Sequence, residues 1–487
     1  MHFSANFHYA FLICLLFFSL ALPSRGAESL QRLRAVDDAP DSPVTLSGAV
    51  SLARRNFPKL LQQEAEVRAT KSNISLQKVK EYNPNALMSY QVVAATHNRL
   101  TQTLFSSAVL PTTPGPGYDT LHEAPRAFSA SGFIIDWAPL DFGLHKARIG
   151  FAKSEYNLSS ANLGLTQLDV SVEAASRFLD TLVMKEQVAV AEANVKRFQD
   201  FSTVVHAQVD SGLKAGADAS LADSQLANSR NDLIRARLNL DLSKASLAYI
   251  VGLGGRLLDI EPGGIIYVTE PSDSQKNTPV YESHPLALSK KAEIDLRMAS
   301  RKILEKQYYP TFRWLAGGNL RGTTFNTNRG DVSAPDVSGI IPVVPNWNVG
   351  LMVDFPFMDI LRIQAEKKVV DQRIMAAQQG YSLAIQQLRT EDVQARSKVQ
   401  AAVELAANMP VQVSAALLAA QQAQARYQAG LATVAQVAEA NQILADSRVK
   451  EAVANVGVWK ALLSAAAVHG DLKPFLASAD LATQRGK

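Results

Sequence analysis

The feature that most constrains this chain is an internal duplication that keeps its spacing. The segment Phe133-Ile-Ile-Asp-Trp-Ala-Pro-Leu-Asp141 resembles Leu351-Met-Val-Asp-Phe-Pro-Phe-Met-Asp359, and Val209-Asp-Ser-Gly-Leu213 resembles Tyr427-Gln-Ala-Gly-Leu431. Asp141 and Gly212 are 71 residues apart, as are Asp359 and Gly430. A further 18 residues separate Gly212 from Arg230 and Gly430 from Arg448. Over this stretch the second copy therefore trails the first by 218 residues without a gap. Upstream, Phe57-Pro58 matches His284-Pro285 and Tyr82-Asn83-Pro84 matches Tyr308-Tyr309-Pro310. A helix gains about 1.5 Å per residue, so an ungapped repeat of this length preserves a distance.

Each copy reads in the same order. A helix comes first, at about residues 47–82 and 284–309, with Ser47 as the expected N-cap of the first. A proline ends it, because proline cannot continue the hydrogen-bond ladder. Two strand-like stretches follow around a polar, Pro/Gly-rich loop: about residues 86–97 and 128–138, then 311–321 and 346–356. A long helical stretch comes next, residues 142–211 and 360–429, turning at tips near 212–216 and 430–434. At about 1.5 Å per residue each rod reaches roughly 100 Å. Leu165, Leu168, Val172, Ala175, Leu179 and Leu182 give the first rod a coiled-coil stripe. The second contains Pro410, which is expected to kink it or loosen a turn. Return helices at about 217–250 and 435–467 are half as long.

The strands carry the functional signal. Trp347, Val349, Leu351, Val353 and Phe355 alternate with Asn346, Asn348, Gly350, Met352 and Asp354, a period of two with one apolar face. Phe133, Ile135 and Trp137 are the matching apolar positions of the first copy. An ordinary sheet with one face on a core produces the same alternation. A membrane strand produces it too, at the length found here and with tryptophans near its ends. Four strands cannot close a barrel alone, and open edges in lipid leave backbone groups unpaired. A membrane role therefore requires several chains, and three would supply twelve strands.

Residues 11–22 form a short apolar run followed by small residues at Ser24, Gly26 and Ala27, the pattern of an export signal cleaved near residue 27. The only cysteine, Cys14, lies inside that run, so residues 28–487 carry no thiol for a disulfide or a metal. No later run of about 18 apolar residues is present, so no transmembrane helix is expected. With 49 basic and 45 acidic residues interspersed, nucleic acid is not an expected partner. No phosphate loop, HExxH, GxSxG or cysteine nucleophile is present, so neither an enzyme nor a cofactor is expected.

Three stretches, in this order and twice represented, resemble the TolC-like outer-membrane efflux proteins. They are Leu46-Ser-Gly-Ala-Val-Ser-Leu-Ala-Arg-Arg-Asn-Phe-Pro58, Trp137-Ala-Pro-Leu-Asp-Phe-Gly143, and Tyr427-Gln-Ala-Gly-Leu-Ala-Thr-Val-Ala-Gln-Val-Ala-Glu-Ala-Asn441 with its copy at 209–224. The resemblance covers about residues 45–470. It implies a mainly α fold with a small membrane β-barrel portion: a duplicated strand-helix repeat, a long coiled-coil α-barrel, and a homotrimeric twelve-stranded β-barrel with four strands per chain. In this frame residues 1–27 are a signal peptide and 28–46 a linker. The first repeat spans 47–251, an equatorial segment 252–282, the second repeat 283–470 and a tail 471–487.

The loops at 98–126 and 322–345 would face outside the cell, and Phe133, Ile135, Trp137, Trp347, Val349, Leu351, Val353 and Phe355 would face outer-membrane lipid. Gly212, Leu213, Gly430 and Leu431 would mark periplasmic tips that dock an adaptor, itself joined to an inner-membrane pump. By position, the closable aperture of the family maps onto Asp218, Tyr427, Gln436 and Glu439, while its arginine is replaced by Ala432. The implied function is a passive exit duct for efflux or type I secretion, placed in the outer membrane with its tunnel in the periplasm. A periplasmic coiled-coil adaptor or structural protein without a barrel is the alternative that fits the helices.

Overall fold

The fold is that of a computed structural model, which describes residues 43–95, 107–110, 126–262, 280–323 and 338–485. The expected leader, most of the linker before residue 43, the central part of the 252–282 segment and most of both strand-connecting loops lie outside the described residues.

The opening helical stretch divides in two. Helix α1 spans Leu46–Asn56 and α2 spans Pro58–Tyr82. Proline disfavours helical backbone in the residue before it, and Phe57 is extended at φ −67° and ψ 122°. Pro58 then sits where a helix has no use for its missing N–H. The N-cap of α1 is Thr45, not Ser47: the Thr45 Oγ1 accepts from the Gly48 N–H at 3.2 Å. Strand β1 follows at Asn85–Ala95 and β2 at Arg126–Leu140. The first rod, α3, runs Leu144–Asp210, and its return helix α4 runs Gly216–Ile250. Helix α3 begins two residues later than the sequence suggests, because Phe142 and Gly143 both take left-handed backbone, at φ 52° and 94°.

The second copy starts after a 3₁₀ turn, Tyr281–Ser283, with α5 at Pro285–Gln307. As at Phe57, the residue before the proline is extended, His284 at φ −65° and ψ 137°. Strands β3, Thr311–Thr323, and β4, Val344–Asp354, precede the second rod α6, Ile360–Gln428, and its return helix α7, Val434–His469. Helix α6 is continuous through Pro410. A last helix, α8, spans Lys473–Arg485.

The strands form one antiparallel sheet in the order β1-β2-β3-β4. Strand β2 is longer than expected, and its register against β3 shifts between Trp137 and Leu140. Each rod lies along its own return helix, α3 on α4 and α6 on α7, and α5 packs against both rods. The largest core sits where α1, α3, α7 and α8 meet, around Phe178, Leu179, Leu182, Trp459 and Phe475. Burying a side chain of this size contributes about 1.5–3 kcal/mol. Val44 joins this core by pairing in parallel with Ile260, which ties the chain before α1 to the segment after α4. Helices α6 and α7 each contain an 18-residue window apolar enough, by composition, to cross a bilayer.

Candidate functional site

Three places in the fold carry unusual chemistry: the helical tips, the exposed sheet, and the joint between them. The two tips are built alike. Gly212 at φ 70° and Gly430 at φ 75° end their rods in the left-handed conformation that glycine adopts without strain. The Leu213 N–H returns to the Gln208 carbonyl at 2.9 Å, and the Leu431 N–H to the Arg426 carbonyl at 2.7 Å. Leu213 and Leu431 are left 74% and 69% exposed, an apolar pair at the far ends of the rods.

Beyond the turns the copies differ. Thr433 and Gln436 form a reciprocal capping box at the start of α7, the Gln436 Oε1 accepting from the Thr433 N–H at 3.0 Å. That bond occupies the Gln436 amide locally. Helix α4 has no side-chain cap, and Asp218 lies in its first turn, where the helix dipole favours an anion. Glu439 is exposed one turn into α7, and Asp218 is half-buried. Tyr427 is not on a surface of the single chain. It is fully buried, its ring edge-on to Phe201 at 5.1 Å and under the Lys214 ammonium at 5.0 Å. Phe201, Val205, Ala219, Ala222, Val434 and Val437 close around it, so one small core joins the two tips. Burial, and secondarily the Asp218 carboxylate, push the Tyr427 phenol above its ordinary pKa. Among the described residues its hydroxyl has no hydrogen-bond partner.

The sheet turns an apolar face outward. Across the strands Trp137 faces Trp314 and then Leu351, Ile135 faces Ala316 and then Val349, and Phe133 faces Gly318 and then Trp347. These side chains cover no core: Trp347 is 83% exposed, Val349 66%, Leu351 56% and Phe133 52%. Ile135, Trp137 and Val353 are exposed with them, and Phe355, one residue past β4, is exposed as well. The opposite face holds an ion pair, the Arg313 Nε donating to Asp136 at 3.1 Å while the Arg313 guanidinium also reaches Asp354 at 3.4 Å. Strands β1 and β4 are the two edges of the described sheet.

At the joint, Asp141 accepts from the Gly143 N–H at 3.0 Å and from the His145 N–H, capping the first turn of α3. The His145 ring lies between the Ala138 carbonyl, 2.8 Å from Nε2, and the Glu81 carboxylate, which also pairs with Arg148 at 3.2 Å. The indole N–H of Trp137 donates to the Tyr82 carbonyl at 3.1 Å. Sequence reasoning passed over His145, Glu81 and Arg148. Their only early signal was a histidine two residues after the Phe142-Gly143 junction.

Apolar sheet, paired rods and matched tips together define a mainly helical protein with an exposed apolar sheet. The outer membrane efflux protein family matches residues 131–253 and 281–463, well over half of the sequence. The chain belongs to that family, so its place is the outer membrane and its work is passage, not catalysis.

Solved structures agree on the fold. The chain is similar to CusC, at 15% identity over 88% of this chain and 92% of that one, with a TM-score of 0.67. It is similar to the outer membrane protein VceC of Vibrio cholerae, at 16% identity over 88% and 96% of the two chains, TM-score 0.66. The CmeC outer membrane channel of Campylobacter jejuni gives 11% identity over 91% and 90%, TM-score 0.70. No curated protein matches the chain in sequence.

Proposed function

We propose that three copies of this chain form a passive exit duct whose β-strands close into a twelve-stranded outer-membrane barrel. The observation that carries this reading is the four-stranded sheet with one exposed apolar face and its two edges at β1 and β4. In lipid such edges need partners, and the edge strands of neighbouring copies supply them. Residues 47–251 and 283–470 each contribute two strands and one rod to the assembly. The rods form the tunnel below, and a periplasmic adaptor docks at Gly212, Leu213, Gly430 and Leu431. An inner-membrane pump supplies the energy. The adaptor opens the aperture by binding the open form more tightly than the closed one.

Asp218 and Glu439 line the closable end, with Tyr427 and Gln436 holding its two tips in place. Three copies of each carboxylate favour cations at the entrance. Membrane fractionation followed by unheated gel electrophoresis tests the assembly, with a heat-sensitive trimer in the outer membrane as the expected result. A soluble periplasmic monomer refutes it. Conductance in planar bilayers tests the aperture: Asp218→Asn with Glu439→Gln is expected to reduce cation selectivity, and unchanged selectivity removes both residues from that role.

A further inference from the structure

Two adjoining cavities lie where the strands give way to the rods. One, of about 420 Å³, is lined by Tyr308, Tyr309, Pro310, Val353 and Phe355. The other, of about 400 Å³, shares Tyr308 and Tyr309 and adds Glu305, Lys306, Gln364 and Lys367. Both are open grooves on the surface of the single chain, with volumes in the range of small-molecule sites. The first is apolar and continuous with the exposed face of the sheet, since Val353 follows Leu351 on the same side of β4. The second is charged and belongs to the ends of α5 and α6.

The two tyrosines form the wall between the cavities. They meet edge-on at 5.5 Å, and Phe142 stacks on Tyr309 at 5.7 Å. Both tyrosines are about 40% exposed, so their hydroxyls are open to a ligand or to solvent. On the charged side, Glu305 is already engaged by Arg301, and Lys367 stands 4.0 Å away at the edge of pairing distance. Lys306 has no carboxylate partner among the described residues, and its ammonium lies 5.0 Å over the Tyr309 ring. The pair of cavities is thus greasy toward the strands and charged toward the helices, where two ammoniums, Lys306 and Lys367, stand beside one carboxylate, Glu305, that Arg301 also neutralises, with amphipathic rings between.

We infer that this is a binding site for one glycerophospholipid of the periplasmic leaflet, its acyl chain against Val353 and Phe355 and its phosphate between Lys306 and Lys367. The inference rests on the membrane reading of the sheet. An acyl chain matches the apolar cavity, and a phosphodiester is the group that two ammoniums and two phenolic O–H donors address together. The helix side of the sheet is the periplasmic side, so the donor leaflet is the inner one. A lipid held here ties β4 to the ends of α5 and α6.

The test uses full-length protein in nanodiscs containing a phosphatidylglycerol with a diazirine on its acyl chain. After illumination, adducts are mapped by mass spectrometry. Enrichment is expected at Tyr308, Tyr309 and Phe355 over Trp347, Val349 and Leu351. Lys306→Ala with Lys367→Ala should lower that enrichment about tenfold or more, and Lys306→Arg with Lys367→Arg should retain it. Uniform labelling of the whole apolar band, or enrichment indifferent to the lysines, overturns the site while leaving the membrane face intact. A cross-link from these tyrosines to a second copy of the chain also overturns it. Absence of adducts at Trp347, Val349 and Leu351 instead removes the membrane reading itself.

Discussion

Tyr427 permits a prediction in which two substitutions must diverge. Its ring fills the core shared by the two tips, fully buried against Phe201 and Val205 from the first copy and Val434 and Val437 from the second. Tyr427→Ala empties that core, and removing a buried aromatic costs about 3–5 kcal/mol. Tyr427→Phe keeps the ring and deletes a hydroxyl that has no partner among the described residues. Burying an unpaired hydroxyl costs about 1–3 kcal/mol, so its removal is neutral to stabilising. The site opens locally, so hydrogen exchange is the appropriate assay, read on the backbone amides of residues 198–222 and 423–441. At about 1.4 kcal/mol per factor of ten, Tyr427→Ala should reduce protection by roughly 10² to several times 10³, and Tyr427→Phe should leave it unchanged or raise it. Equal damage from both substitutions refutes the packing argument, because only a hydroxyl bond made in the assembled protein treats them alike.

Other perturbations follow from the same structure. Burial pushes the His284 imidazole below its ordinary pKa, against the pull of the Ala467 carbonyl and the Glu391 and Asp169 carboxylates. Its Nδ1 accepts from the Leu286 N–H and its Nε2 faces the Ala467 carbonyl, both at 3.1 Å, which requires the neutral ring. The unfolded chain therefore binds the proton first. This contribution is fully present above about pH 6.5 and is lost as pH falls below it, a slope that His284→Gln should remove from thermal melts. Gly470 ends α7 at φ 76°, and a Cβ there would lie 2.9 Å from both His284 Cδ2 and Pro285 Cδ. Gly470→Ala is expected to destabilise by at least about 1 kcal/mol in denaturant titration. Inserting one heptad into α3 and a matching one into α4 moves the first tip by about 10 Å relative to the second. Export complementation should fail for that variant and recover when α6 and α7 are lengthened equally.

The sequence was most legible where the constraint is local or periodic. A mainly helical fold with four strands could be read from the ungapped 71-residue spacing and from alternation at Trp347, Val349 and Leu351. Turn chemistry was legible at Gly212 and Gly430, since their left-handed backbone favours a residue without Cβ. Element starts were less so. Ser47 and Thr45 are both good caps, and only the extended backbone at Thr45 decides between them. The break at Phe57 was available in principle from Pro58, but Leu46, Ala49, Val50, Ala53, Phe57 and Leu60 carry one helical spacing of core residues across it and hide it. What a single sequence could not yield is contact between distant residues. His145 meets Glu81 across 64 positions, and Phe201 meets Tyr427 across 226. Neither pair has a local pattern to announce it.

Tyr427 also bears on why the two rods keep one length. Pairwise helix packing along a rod tolerates slippage by whole heptads, because each register presents a similar apolar stripe. The tips do not tolerate it. Phe201, near the end of α3, must arrive opposite Tyr427, near the end of α6, and both must meet the starts of α4 and α7. At the other end, β2 leads into α3 and β4 leads through a short turn into α6, while β2 and β4 both pair with β3. The rods are therefore pinned to one another twice, through the sheet above and the tip core below. A residue gained in one rod alone would have to be absorbed by breaking one of these ends. That double attachment gives a physical reason for equal spacing in two copies whose side chains have otherwise diverged.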